Sequence, residues 1–240
     1  MGWGNNNRGA LGVPYLTHAV SPVHVLDDVV AVYAGWDNTL AIRGDGSLWG
    51  WGDNNRGQLG YAFPRSSPSN TIITPPSHIM DDVVAVSLGG PRTIGDSHTM
   101  VILADGSLWG WGNNESGQIG AGEAIRKDSL VHVMDDVVAV STGGSYTMAI
   151  RADGSLWGWG GNWDGRVGHI EDAEGFLIRR IFYPVHIMDD VVEVVAGEYN
   201  TMAVRSDGSL WAWGEIIADG RRIQTSIPIK IMENILLPGR

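Results

Sequence analysis

Four histidines stand three residues ahead of an acidic pair: His24, His78, His132 and His186 precede Asp27-Asp28, Asp81-Asp82, Asp135-Asp136 and Asp189-Asp190. Imidazole and carboxylate are zinc ligands and also acid–base groups, so this spacing raises both chemistries. One zinc ion needs three or four ligands at about 2 Å. A single His-x-x-Asp per unit spreads its copies too far apart to meet at one ion, and Lys230 fills the position in the last unit. The pattern reads as a surface residue copied with its surroundings, and no metal is expected. Asp45, Asp105, Asp153 and Asp207 each precede a glycine. Their oxygens suit calcium, but the spacing is not that of a calcium loop, and hairpin chemistry accounts for them. As a group these carboxylates are expected to give one face a negative field. Asn6, Asn54, Asn114 and Asn162 open an Asn-x-x-Gly loop and read as turn formers bonded to nearby backbone. Gly-Trp-Gly is no phosphate loop, because it lies inside a strand pattern and no helix follows. No serine, histidine and acid constellation stands apart from the repeat. The chain has no cysteine, which removes thiol nucleophiles, thiolate metal sites and disulfides. No catalytic residue, cofactor or metal is expected.

The elements that carry these residues recur. Trp-Gly-Trp-Gly occurs at 49–52, 109–112 and 157–160, Trp-Ala-Trp-Gly at 211–214, and Met-Gly-Trp-Gly opens the chain. The second tryptophans are 48, 60, 48 and 54 residues apart. Asp-Asp-Val-Val starts at Asp27, Asp81, Asp135 and Asp189, and lies 22, 28, 22 and 22 residues before the first tryptophan of the motif. Six extra residues around 91–96 account for the odd value. Each unit runs from a β-branched segment (29–32, 83–86, 137–140, 191–194) through a glycine-containing break to a second apolar segment (39–42, 99–102, 147–150, 201–204). Asp-Gly and the tryptophan strand follow; Asp-Gly between two short apolar runs predicts a hairpin with positive φ in its turn. In that strand the tryptophans share one face and the glycines the other. Large rings opposite bare backbone suit sheets stacked closely face to face.

The expected architecture is all-β: a β-propeller of about four to five blades of antiparallel strands, a partial form of a larger ring. The units fall at 1–26, 27–80, 81–134, 135–188, 189–232 and 233–240, the first a half blade and the last the start of another. The tail 235–240 is not expected to supply the next Val-Val strand.

Composition narrows the partners. The 240 residues carry 34 glycines, 11 tryptophans and a formal net charge of -11. The densest basic stretches are Arg179-Arg180 and Arg221-Arg222, far short of the stripe that neutralises phosphates, so nucleic acid is not an expected partner. No run is long and apolar enough for a membrane span, and the opening residues carry no apolar signal segment.

SLWGWGDNNRGQLG at 47–60, VVAVSTGGSYTMAIRADGSLWGWG at 137–160 and NNESGQIG at 113–120 resemble the regulator-of-chromosome-condensation repeat in its bacterial form. The resemblance covers nearly the whole chain and implies a propeller, usually seven-bladed. Members of that family include a nucleotide exchange factor for a nuclear GTPase, a plant ultraviolet-B photoreceptor and a secreted bacterial β-lactamase inhibitor. Fold therefore does not settle function. Seven such blades need about 360 residues, which is the reason for expecting a partial ring whose open edges favour self-association. The photoreceptor's Gly-Trp-Arg-His-Thr loop is matched only by Gly35-Trp36-Asp37-Asn38-Thr39, with Ser145-Tyr146 and Glu198-Tyr199 in the equivalent loops; light sensing is not expected. The exchange factor's functional residues find no counterparts and none is carried over.

Residues common to all units maintain the fold, and those unique to one unit are free for function. The irregular stretches are 61–75, 91–96, 163–183 and 215–227. Aromatics and arginines are the usual interface anchors, so Tyr61, Arg65, Arg92, Trp163, Arg166, Phe176, Arg179 and Arg180, all read as exposed, are the candidate binding residues. The expected function is a non-catalytic module that binds a protein partner through these loops. The alternatives are an exchange-factor-like regulator of a small GTPase and a structural segment of a larger surface protein.

Overall fold

The computed structural model describes residues 1–35, 37–54, 57–60, 72–89, 98–123, 125–218 and 220–235. Eighteen strands are present, and no helix occurs among the described residues. β1 (Gly2–Asn5) and β2 (His18–Val23) form a two-stranded sheet. Four four-stranded sheets follow. The first holds β3 (Val29–Ala34), β4 (Asn38–Arg43), β5 (Leu48–Asp53) and β6 (Ile72–Met80); the second holds β7 (Val83–Gly89), β8 (His98–Leu103), β9 (Leu108–Asn113) and β10 (Arg126–Met134). The third holds β11 (Val137–Thr142), β12 (Tyr146–Arg151), β13 (Leu156–Gly161) and β14 (Arg180–Met188); the fourth holds β15 (Val191–Ala196), β16 (Asn200–Arg205), β17 (Leu210–Ala218) and β18 (Arg221–Met232). Every neighbouring pair is antiparallel and sequential. The first strands β3, β7, β11 and β15 contact one another from sheet to sheet. They are the innermost strands of a fan of blades, the expected propeller architecture.

The tryptophan strand shows why glycine alternates with the rings. A Cβ on Gly110 would sit 2.7 Å from Met100 Sδ, and one on Gly158 would sit 2.8 Å from both Met148 Sδ and Val167 Cγ1. Bare backbone therefore lets Met100 and Met148 close over the sheet, where both are fully buried. The last blade has Ala212 at this position, and the equivalent Met202 is exposed. With the methionine turned out, the methyl of Ala212 is buried in its stead. Trp111, Trp159 and Trp213 are fully buried and anchor the core between blades, together with Leu40, Leu48, Leu108, Tyr146 and Leu156.

Strand order sorts the connections onto two faces. In each blade the first-to-second and third-to-fourth connections share one end of the strands. The Asp-Gly turns, and the Asp-Asp turns that lead into the next blade, share the other. We call these the loop face and the turn face. Backbone hydrogen bonds stitch the turn face together: Val83 N donates to Gly46 O, Val137 N to Gly106 O and Val191 N to Gly154 O, each at 2.9 Å. Asp28, Asp82, Asp136 and Asp190 take positive φ values of 57°, 61°, 60° and 61°, a conformation that aspartate and asparagine tolerate. Asn234 repeats it at 61°, and Ile235 N donates to Gly208 O at 2.9 Å. Ile235 N thus makes the backbone bond that the first valine makes in the other units, without forming a strand, and the rest of the tail lies outside the described residues.

Candidate functional site

The turn face is built from one unit copied along the fan. Asp105 Oδ1 accepts from Ser107 N at 2.9 Å and from Ser107 Oγ at 2.6 Å, while Trp109 Nε1 donates to Ser107 Oγ at 2.9 Å. Asp45, Asp153 and Asp207 repeat this with Ser47, Ser155 and Ser209. The serine hydroxyl and amide hold each of these carboxyls below the ordinary aspartate value. His24, His78, His132 and His186 pair with Asp27, Asp81, Asp135 and Asp189 at 2.7–2.8 Å. The last three also stand edge-on to Trp49, Trp109 and Trp157, with ring centroids 5.3–5.6 Å apart. Their recurrence is therefore structural: all four imidazoles close an acidic turn, and three of them also cover a tryptophan. Arg151 and Arg205 bond Asp136 and Asp190 at 2.8 and 2.7 Å; the second blade has Leu103 at that position.

On the loop face, asparagine organises the connection between third and fourth strands. Asn6, Asn54, Asn114 and Asn162 accept from the amides of Leu11, Leu59, Ile119 and Val167 at 2.8–3.0 Å. The loop so held presents one carbonyl to the next blade. Ala10 O accepts from Thr39 Oγ1 and Trp51 Nε1, Gln58 O from Thr99 and Trp111, and Gln118 O from Thr147 and Trp159, all at 2.7–2.9 Å. Arg166 O receives Thr201 Oγ1 at 2.7 Å, whereas Trp213 Nε1 is buried without a partner.

That last loop holds most of the candidate residues that are described. Its exit differs from the others: Gly12, Gly60 and Gly120 have φ between 72° and 81° and lie against the next blade's tryptophan, but Gly168 has φ 151° and lies against Ile187 and Ile170. The chain is thereby sent into a small projecting hairpin. Ile178 N donates to Ile170 O at 2.7 Å, Glu171 bridges Leu177, and Asp172 Oδ1 accepts from the amides of Glu174 and Phe176. Phe176 stands at its tip, 70% exposed. Trp163 lies over Gly161, with the Arg180 guanidinium 5.8 Å from its ring centroid. Arg179 is exposed beside them.

Arg166 departs from its expected exposure: it is 7% exposed, wedged between blades. It bonds the Asp164 carboxylate and donates to Glu198 O at 2.7 Å, and its guanidinium stacks 5.9 Å from Tyr146 and 5.2 Å from Tyr199. A planar cation flanked by aromatic rings and bonded to two oxygens through its terminal nitrogens braces the blade junction, although its Nε is buried without a partner. Tyr61, Arg65 and Arg92 lie outside the described residues. Trp163, Phe176 and Arg179 thus lie on one connection, the loop lobe, and Arg180 opens the strand after it with its guanidinium over Trp163. The structure adds Tyr199, 40% exposed and stacked on Arg166. Only its loop position marked Tyr199 in the sequence.

An apolar cavity of about 280 Å³ lies between the two-stranded sheet and the first full blade, lined by Trp3, Leu11, Val25, Val32 and Trp51 among others. Among the described residues no acidic, basic or histidine side chain lines it. No helix among the described residues is long and apolar enough to cross a membrane. No group of three or more histidine, aspartate or glutamate side chains placed to hold a metal occurs among them.

Comparison with known proteins places these features. The description "Regulator of chromosome condensation (RCC1) repeat" matches residues 29–58, 93–118 and 137–166 in one form and 45–102 and 153–204 in another. The human E3 ubiquitin-protein ligase HERC2 is 28% identical over 230 residues, 89% of this chain and 4% of that protein. The Arabidopsis thaliana ultraviolet-B receptor UVR8 is 29% identical over 150 residues, 59% of this chain and 32% of the receptor. The chain thus spans well under half of these relatives. Among solved structures, human WBSCR16 superposes with TM-score 0.77 at 21% identity, covering 95% of this chain and 60% of its own. Saccharomyces cerevisiae Prp20p, studied for its binding to Gsp1p and histones, gives 0.73 at 20%, covering 97% and 58%. Both structural likenesses bear on the fold alone.

Proposed function

Because the chain belongs to the regulator of chromosome condensation repeat family, we propose that it is a non-catalytic module that recognises a protein partner through its loop face. The observation that carries this is the sorting of irregularity by strand order. The connection 162–179 joins strand ends on the loop face, and the described strand ends that flank the stretches 54–71, 90–97 and 219–220 lie on the same face. The turn face, by contrast, repeats from blade to blade. A repeated scaffold with one variable face is how propellers and solenoids commonly build recognition surfaces. The lobe of Trp163, Phe176, Arg179 and Arg180 has the aromatic and arginine composition of interface anchors, and Tyr61, Arg65 and Arg92 extend the same set.

The test places a photo-crosslinking residue at Phe176 and identifies the protein it captures. The reading expects an adduct from position 176 that Trp163→Ala/Arg180→Ala abolishes. It also expects the purified partner's affinity to fall by roughly tenfold or more in Trp163→Ala/Arg180→Ala. An adduct that survives those substitutions, or unchanged affinity, removes it. Faster nucleotide release from a small GTPase mixed with the chain would assign exchange activity instead.

A further inference from the structure

The innermost strand of every full blade contains one residue too many. Val29 pairs with Arg43 and Ala31 with Ile42, so Val30 has no opposite number; Val84, Val138 and Val192 are left over in the same way. Each is a β-bulge, the device that re-aims a side chain. The four valines are 68%, 58%, 61% and 47% exposed, although β-branched apolar residues are usually interior. Each lies two residues beyond an αL aspartate, at the turn-face end of the inner strands. Four exposed valines therefore follow the inner wall of the fan, one per blade.

Around this arc the charge is one-sided. The Asp-Asp and Asp-Gly turns with Glu233 bring thirteen carboxylates to the turn face, against four cations, Arg43, Arg151, Arg205 and Lys230. With histidine neutral, thirteen against four leaves nine of the chain's eleven net negative charges on that face.

We infer that the turn face is a second docking surface, whose occupant is an extended protein segment alternating lysine or arginine with aliphatic residues. Its apolar side chains meet Val30, Val84, Val138 and Val192, and its cations meet the Asp-Asp rim. Charge complementarity sets the sign of the partner, and the bulge valines set its amphipathic character. A purely polar cation would leave the apolar arc in water, and a purely apolar segment would leave the rim uncompensated. This surface lies at the opposite end of the strands from the loop lobe, so it stands or falls separately from the proposed function.

The probes are synthetic peptides of equal length: alternating Lys–Leu, alternating Lys–Ser and alternating Glu–Leu. Fluorescence anisotropy is expected to show Lys–Leu binding roughly tenfold tighter than Lys–Ser, with Glu–Leu not binding. Val84→Thr/Val138→Thr keeps side-chain shape at exposed positions and should abolish that tenfold preference. Asp82→Asn/Asp136→Asn should weaken both cationic peptides; Asn234 shows that asparagine holds this turn conformation. Trp163→Ala/Arg180→Ala should change neither. Equal affinity for Lys–Leu and Lys–Ser, or a preference that survives the valine substitutions, overturns the inference. So does a Lys–Leu peptide whose binding responds to the loop-face variant instead.

Discussion

The indole N–H of Trp111 donates to the carbonyl oxygen of Gln58 at 2.8 Å, joining one blade to the loop of the blade before it. Trp159 does the same to Gln118 at 2.9 Å, but Trp213 Nε1 is buried with no acceptor. Phenylalanine removes the N–H and a similar amount of ring from all three. Trp111→Phe and Trp159→Phe should therefore each lose about 1–2 kcal/mol more than Trp213→Phe, because only they forfeit a hydrogen bond, while Trp213→Phe removes a buried donor that has no partner. Urea midpoints of the three variants, measured side by side, check this. Equal losses would mean that the bond contributes nothing to blade stacking.

A second prediction separates close approach from backbone conformation. A Cβ on Gly143 would run into the Tyr146 ring and lie 2.6 Å from Gly197 O in the next blade. Its φ is not positive, so the chain there would accept alanine were it not for that crowding. Gly175, at the tip of the projecting hairpin, has φ 83° and nothing within 4 Å. Gly143→Ala should cost about 3 kcal/mol through forced displacement of the blade junction. Gly175→Ala should cost about 1–2 kcal/mol through backbone strain alone. Thermal midpoints rank them.

These contrasts show what the sequence made legible. The blade and its Asp-Gly hairpin could be read from residues 27–52, because alternation, β-branching and turn chemistry are local. The role of asparagine in the Asn-x-x-Gly loop was also legible, since Asn54 bonds only five residues away. The approach of Gly143 to Gly197 O and the clamp from Trp111 to Gln58 cross blade boundaries, and no local pattern encodes them. Arg166 illustrates the same limit: a lone arginine in a loop reads as exposed, and only the approach of Tyr146 and Tyr199 buries it. The bulges at Val30, Val84, Val138 and Val192 were hidden because Val-Val reads as plain strand, and the extra residue appears only against its partner.

The Asp-Ser-Trp unit predicts an acid-side dependence. In all four turns the serine keeps the aspartate ionised below the ordinary value of 3.8. A carboxyl whose folded pKa is depressed contributes stability above its unfolded value, and that contribution is lost as pH falls through the folded value. The chain should therefore hold its midpoint down to about pH 4 and lose it steeply below. Ser107→Ala frees the Asp105 carboxyl and takes the acceptor from Trp109 Nε1. Its midpoint should be lower at neutral pH, and its decline below pH 4 shallower. A parallel, unshifted acid profile would show that the serine does not set the titration of Asp105.

Tyr146 predicts the alkaline side. Its ring is buried between the third and fourth blades, and its hydroxyl donates to Asn200 O at 2.5 Å and meets Thr201 Oγ1 at 2.9 Å. Burial, the largest influence on it, pushes the phenol well above its ordinary value of 10.0. The folded chain therefore retains a proton that the unfolded chain releases near pH 10. The stability tied to that proton is complete below this pH and declines as pH rises toward the folded value. Tyr146→Phe keeps the ring and loses the hydroxyl, so at neutral pH it should cost about 1–2 kcal/mol through the lost hydrogen bonds to Asn200 O and Thr201 Oγ1. Above pH 10 the parent chain should weaken faster than the variant, and the gap between their urea midpoints should narrow with each step in pH. A gap that stays constant would show that the Tyr146 proton is not held by the blade junction.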